Sequence, residues 1–222
     1  MKKILITGGA GYIGGYLTDL LIKENYEITV LDNLFFESRY MKNVNFIYGD
    51  ITDYDLVNKI LENDYDIIVC LAAFVGDGAC SVNPDHTFKV NYESMKNIKE
   101  RFEKKIIFMS TCSVYGFSEG TIDENGFKNP LSLYAKSKIM TEEELKDHDD
   151  KCIFRLGTLY GVGDSYSRIR LDLVVNILTN YAFHKREINV FGGDQLRPNV
   201  HIDDMVRSYL TVLDSDSKKI NG

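Results

Sequence analysis

The sequence predicts an α/β protein built on a doubly wound parallel sheet. Three observations predict it. Short apolar runs alternate with longer amphipathic segments as far as residue 160. A glycine-rich turn joins the first run to the first amphipathic segment. No low-complexity linker or repeat interrupts the 222 residues, which hold only three prolines. Alternation of this kind gives parallel strands joined by right-handed crossovers, with helices on both faces.

The strands come first. KILIT (3–7), EITVLD (27–32), VNFIYGD (44–50), DIIVCLAA (66–73), KIIFMST (105–111) and CIFRLGTLY (152–160) read as strands buried on both sides. Between them GYIGGYLTDLLIKEN, DYDLVNKILEN, PDHTFKVNYESMKNIKERFE and SLYAKSKIMTEEELKDHD read as helices. After residue 160 the rhythm changes. GVGDSYSRIR reads as a loop, LDLVVNILTNYAFHK as a helix, EINVFGGD as a strand and turn, and HIDDMVRSYLTVLDS as a helix. This part is expected to cap the carboxyl edge of the sheet, where ligands of open α/β folds bind.

The chain is 44% hydrophobic and 12% aromatic, enough for a packed core. Its net charge of −7 argues against a general binder of nucleic acid or anionic membrane, which would carry a basic stripe. Backbone amides and one or two arginines can still hold an anionic ligand. The longest apolar runs are too short to cross a bilayer. MKKILITGG enters a strand at once and lacks the h-region of a signal peptide, so a cytoplasmic location is expected. Cys70, Cys80, Cys112 and Cys152 form no CxxC pair and read as reduced thiols. His86, His148, His184 and His201 are scattered, and no metal ligand is expected.

ILITGGAGYIGGYL sets Gly8, Gly11 and Gly14 at G-x-x-G-x-x-G spacing between a strand and a helix. Gly8 suits the tight turn, Gly11 leaves room for a pyrophosphate against the backbone, and Gly14 permits close helix–strand packing. The helix N-terminus then offers free N–H groups to the phosphates. Asp32 ends the second strand 18 residues beyond Gly14, where a carboxylate accepts hydrogen bonds from the adenosine ribose. An acid there repels a 2′-phosphate, so NAD is expected rather than NADP. No G-K-[ST] follows the glycines, which argues against a P-loop nucleotidase.

SLYAKSKIM places Tyr134 and Lys138 four residues apart on one helical face. A tyrosine with a free pKa of about 10 is a poor base. A nearby ammonium, and the positive charge of an oxidised nicotinamide, favour the phenolate. Such a pair can take a proton from an alcohol as hydride leaves its carbon.

Taken together, TGGAGYIG, LDN, GDI (49–51), LAA (71–73), VNYESMKNI, STCSVYG, YAKSK, RLGTLYG and RPNVHIDD occur in family order between residues 7 and 204. The chain resembles an extended short-chain dehydrogenase/reductase of the NAD-dependent nucleotide-sugar epimerase/dehydratase family, with a Rossmann-type sheet. The resemblance implies two parts: residues 1–160 as the NAD-binding domain, and 161–222 as a partial substrate-binding region interleaved with it. It implies that Thr111 bonds the reacting sugar hydroxyl, that Tyr134 is the base, and that Lys138 holds the nicotinamide ribose and tunes the tyrosine. Gly8, Gly11, Tyr12, Ile13 and Gly14 of the loop fall with the cofactor. So do Asp32 and Asn33, Asp50 and Ile51 at the adenine, Leu71, Ala72, Ala73 and Asn91 at the wall beside the ribose and diphosphate, and Ser110. Ser113, Thr158, Arg168 and Arg197 fall with the substrate, the arginines gripping its diphosphate.

Two departures matter. The family often has Asn where Thr158 stands. It also continues past SDSKKING into the rest of a sugar-binding domain, so a truncated substrate lobe is expected. The resemblance implies hydride transfer between NAD and a nucleotide-linked sugar at C4, through a 4-keto intermediate, as an epimerase. The alternatives are a 4-dehydrogenase or 4-keto reductase of surface-polysaccharide synthesis, for example on a GDP-heptose, and an NAD-binding protein without turnover. Dehydratases of the family carry Asp and Glu where Cys112 and Ser113 stand, so dehydration is not expected. The helices near 84–102 and 131–148 would pair in a homodimer of the family type, and their apolar stripes are equally consistent with packing on the sheet.

Overall fold

A computed structural model describes residues 1–37 and 39–220. Ser38, Asn221 and Gly222 lie outside the described residues, the last two within the expected substrate-binding region. Strands β1 (Lys3–Thr7), β2 (Glu27–Asp32), β3 (Asn45–Tyr48), β4 (Ile67–Cys70), β5 (Lys105–Thr111) and β6 (Lys151–Leu156) form one parallel sheet in the order 3-2-1-4-5-6. The order reverses between β1 and β4, which opens a crevice at their carboxyl ends. β1 pairs Leu5 with Thr29 on one side and with Ile68 on the other.

The two-residue period of each strand explains the double winding. Ile4, Ile6, Val30, Val69, Ile107 and Met109 point to one face, against helices α1 (Tyr12–Lys23) and α8 (Ile202–Leu213). Leu5, Leu31, Ile68, Ile106 and Phe108 point to the other, against α2 (Tyr54–Leu61) and α5 (Ser94–Lys99). Each such side chain contributes about 1.5–3 kcal/mol by leaving water. Side chains start the helices on schedule: Asp53 accepts from Leu56 N at the head of α2, and Ser132 from Ala135 N at the head of α6 (Leu133–Glu144).

Edge strand β3 is exposed or half-buried along its length, not buried on both sides as its apolar run suggested. The structure departs from the sequence reading in four further places. The segment 152–160 is not one strand. It breaks at Gly157, and β7 (Thr158–Tyr160) joins β8 (Asn199–His201) in a separate two-stranded parallel sheet. A Cβ on Gly157 would lie 2.9 Å from the carbonyl oxygen of Pro198, so only glycine admits this approach. EINVFGGD forms no strand: it finds no partner edge, and Phe191 is 88% exposed. The helix expected over 84–103 is α4 (Pro84–Phe88), a π-helical turn at Lys89–Glu93, and α5. The turn leaves the Asn91 carbonyl free to accept from Thr141 Oγ1 at 3.0 Å.

The fourth departure concerns the cap. Helix α8 does not cover the carboxyl edge. Ile202, Met205, Val206, Tyr209, Val212 and Leu213 repeat at helical spacing and pack beside α1 on the sheet face. The short helices α3 (Asp77–Val82) and α9 (Ser217–Ile220) and the exposed α7 (Val174–His184) complete the described chain. Among the described residues no helix is long and apolar enough to cross a membrane.

Candidate active site

The glycine loop leaves β1 at the switch point. Gly8 has φ +74°, and a Cβ there would meet Ala72 N at 2.5 Å. A Cβ on Gly14 would fall 2.5 Å from the Gly8 oxygen. These two positions are closed to any side chain by backbone. Gly11 differs: its nearest neighbour would be the Gly8 oxygen at an ordinary 3.4 Å, so its outer side is open space. Gly11 also caps α1 without a side-chain bond, which leaves the first helical amides facing the crevice. The three glycines thus divide as turn, open cradle and packing contact.

Asp32 ends β2 beside this cradle. Its carboxylate accepts from Ala10 N at 3.0 Å and Leu34 N at 2.8 Å, which ties the glycine loop to the second strand. Burial raises its pKa against the pull of those amides. Asp50 accepts from Thr52 N, Thr52 Oγ1 and Asn33 Nδ2 at 2.7–2.8 Å. Burial pushes its carboxyl up, but these bonds outweigh it and the net shift is downward.

An open cleft runs from the loop across these acids. Gly8, Gly11, Tyr12, Ile13, Gly14, Asp32, Asn33, Asp50, Ile51, Leu71, Ala72 and Ala73 all line it, as does Arg168. A methyl-free cradle, a helix start and a carboxylate at the end of β2 fit a dinucleotide, and these residues would hold one. Arg168, expected to grip the substrate's diphosphate, lines this cleft with its guanidinium 4.0 Å from the ring centre of Phe36. Phe35, Phe74 and Arg170 also line the cleft and were not anticipated.

Two expected cofactor residues, Asn91 and Ser110, are buried and do not line the cleft. Asn91 is buried; its Oδ1 accepts from Phe74 N at 2.8 Å, and its Nδ2 donates to Phe74 O at 3.0 Å and Ser137 Oγ at 3.2 Å. It therefore fixes the Ala73–Phe74 backbone from the rear. Ser110 donates to Glu142 within the core.

Thr111 is the last residue of β5 and caps a 3-10 turn at Cys112–Tyr115, accepting from Ser113 N at 3.2 Å. Tyr134 and Lys138 come to the same edge from α6. The Lys138 ammonium lies 5.9 Å from the Tyr134 ring centre and 4.6 Å from that of Phe108. It is 3% exposed, and burial depresses its pKa to about 8. Tyr134 moves up to about 12, chiefly through burial, while the Thr111 hydroxyl and Arg170 pull it down. The sequence reading expected the lysine to lower the tyrosine; in this chain desolvation of the phenolate dominates instead.

A charged pair backs this edge. Arg155 Nε and Nη2 donate to Glu142 at 2.8–3.1 Å, and Nη1 donates to Tyr115 Oη at 2.7 Å and Glu124 O at 2.6 Å. Glu142 lies one turn beyond Lys138, an acid on the buried face of α6, and Arg155 interrupts an apolar strand. Those two anomalies were visible in the sequence and went unread.

The remaining expected substrate residues are looser. Ser113 is exposed on its turn, and Thr158 is held through its amide by Pro198 O at 2.8 Å. Arg197 sits on the exposed approach to β8, where its charge eases the upward pull of burial on the Cys112 thiol.

Comparison with known proteins agrees with the fold. The model of the NAD dependent epimerase/dehydratase family matches residues 4–222. A Methanocaldococcus jannaschii protein named "Putative UDP-glucose 4-epimerase" is 32% identical over 98% of this chain and 75% of its own length. The UDP-glucuronic acid 4-epimerase of Bacillus cereus, solved with UDP-glucuronic acid and NAD, superposes with a TM-score of 0.81 at 28% identity. That match covers 99% of this chain and 75% of the other. The likeness extends to a dTDP-D-glucose 4,6-dehydratase of Dictyostelium discoideum, 29% identical over 96% of this chain and 56% of that protein. Similarity alone therefore does not separate epimerisation from dehydration. The chain belongs to the NAD dependent epimerase/dehydratase family.

Proposed function

We propose that the chain oxidises and re-reduces C4 of a nucleotide-linked sugar and acts as a 4-epimerase. The observation that carries this is the meeting of Thr111, Tyr134 and Lys138 at the end of β5, beside a cleft built for a dinucleotide. Bound NAD supplies the acceptor and later donor of hydride, together with a positive charge that favours the phenolate. Tyr134 takes the C4 hydroxyl proton. Thr111 orients that oxygen, and Lys138, its ammonium 5.9 Å from the Tyr134 ring centre, supports the phenolate. When the 4-keto sugar is reduced from its other face, Tyr134 returns the proton.

Dehydration is set aside on local grounds. Cys112 is a half-buried thiol raised by burial, and Ser113 is an exposed hydroxyl, so neither offers a carboxylic acid. A nucleotide-sugar substrate and pairing of copies through α5 and α6 belong to the same reading. The four free thiols suit a cytoplasmic setting.

The test is purified chain with NAD and a panel of UDP-, GDP- and CDP-sugars. A 4-epimer without net NADH supports the proposal. Net NADH with a keto sugar would assign a 4-dehydrogenase instead. Neither product with any sugar would argue for an NAD-binding protein without turnover.

A further inference from the structure

Residues 161–172 reach the cleft through Arg168 and Arg170 and are fastened at both ends and in the middle. Tyr12 Oη donates to Gly161 O at 2.7 Å. In the middle, the carboxylate of Asp164 accepts from Lys42 Nζ at 2.8 Å and from Tyr166 N at 3.1 Å. Lys42 also pairs with Asp19 at 2.6 Å, and the side chains of Lys42 and Asp164 are each 4% exposed. At the far end Arg170 is forked onto Asp172 by two bonds of 2.7 Å and lies 5.7 Å from the Tyr12 ring centre. Asn176 Nδ2 donates to the Arg170 carbonyl at 3.1 Å.

Gly15 adds an independent observation. It lies outside the dinucleotide spacing, yet a Cβ there would stand 2.6 Å from Asp164 Oδ2 and 2.8 Å from Asp164 Cβ. The helix that receives the phosphates thus has a second notch, and Asp164 fills it. Burying both charges of a pair is expensive and fixes geometry more than it stabilises. What that geometry holds is the pair of arginines: Arg168 and Arg170 both line the cleft, close enough to repel one another. Two neighbouring guanidiniums lining the same cleft as the glycine loop bring positive charge to a diphosphate, and Arg170 keeps Nη1 to donate while its Nε and Nη2 hold Asp172.

We propose that Arg170 is a ligand of the cofactor's diphosphate, and that Asp164, seated on Gly15 and paired with Lys42, is the positioning residue that holds it there. The inference rests on the dinucleotide reading of the cleft. Asp164→Asn leaves Lys42 its second partner, Asp19, so the fold should survive. Gly15→Ala changes no charge and should displace the same carboxylate.

Equilibrium NADH binding by the full chain, read by fluorescence, tests this. Arg170→Gln should weaken NADH by about 10-fold or more, as loss of a charged hydrogen bond does, and Arg170→Lys should restore part. Asp164→Asn and Gly15→Ala should weaken it several-fold, and neither should add to the loss in an Arg170→Gln background. Trypsin should cut after Arg168 or Arg170 faster in both variants, because the strap is loosened. Folded variants that bind NADH as wild type does, or losses that multiply with Arg170→Gln, overturn the positioning role. Loss of UDP binding with NADH unchanged in Arg170→Gln overturns the cofactor assignment. A wild-type chain that binds no NADH overturns the dinucleotide reading itself.

Discussion

The ammonium group of Lys138 lies 4.6 Å from the ring centre of Phe108, inside the protein and 3% exposed. The aromatic face offsets part of the lost hydration, yet the balance still disfavours the charge and sets the pKa at about 8, against 10.5 for a free lysine. The fold has placed a lysine where burial resists its charge.

The consequence for stability has a definite sign. Below about pH 8 both folded and unfolded chains carry the proton, and the full penalty is felt. Between about 8 and 10.5 the unfolded chain binds more protons, so stability rises with pH. Lys138→Met should therefore unfold at higher urea than wild type at pH 7, by a margin on the order of 3 kcal/mol. That margin should shrink above pH 8 and vanish by about 10.5. A margin independent of pH would mean that lost packing, not charge burial, sets the difference.

The glycines should fail differently. Gly8→Ala and Gly14→Ala force a methyl within 2.5 Å of backbone atoms, and Gly8 adds a left-handed φ. Each should cost about 2–4 kcal/mol in denaturant unfolding. Gly11→Ala meets nothing nearer than 3.4 Å, so it should fold almost normally and lose NADH affinity instead. Equal destabilisation by all three would remove the open-cradle assignment of Gly11.

Glu142 and Arg155 should behave as a unit. Glu142→Leu or Arg155→Leu alone leaves a buried charge unpaired and should cost about 3–5 kcal/mol. The double substitution should cost less than either single change, because no orphan charge remains. A double-mutant cycle of urea midpoints reads the difference, and simple additivity would contradict the pairing seen here.

Asp32 should set cofactor choice. Its carboxylate faces the cleft and also pins Ala10 N and Leu34 N. Asp32→Ala should weaken NADH by roughly 10-fold and narrow its preference over NADPH. An unchanged NADH to NADPH ratio would place the ribose elsewhere.

How far the sequence could be read follows from the range of the forces involved. Strands β1, β2, β4 and β5 were visible because burial on both faces writes continuous apolar runs, and Gly8 and Gly14 because the backbone around them leaves no room for a side chain. The break at Gly157 was hidden, since an apolar run looks the same whether it stays in one sheet or changes to a second. EINVFGGD had strand propensity without an edge to pair with, a fact held by no local signal. The tyrosine–lysine spacing placed Tyr134 and Lys138 on one face, but desolvation is a property of packing, so the direction of the Tyr134 shift could not be read. Gly15 and Asp164 stand 149 residues apart in the chain, and only the fold joins them.

The central claim is that Tyr134 carries the proton, and Tyr134→Phe tests it most directly. The substitution removes one oxygen from a half-buried ring and should leave the fold and NADH affinity unchanged. Measured on the sugar nucleotide that the wild-type chain turns over, kcat should fall by about 10²–10⁴-fold. Full turnover by Tyr134→Phe would contradict the account.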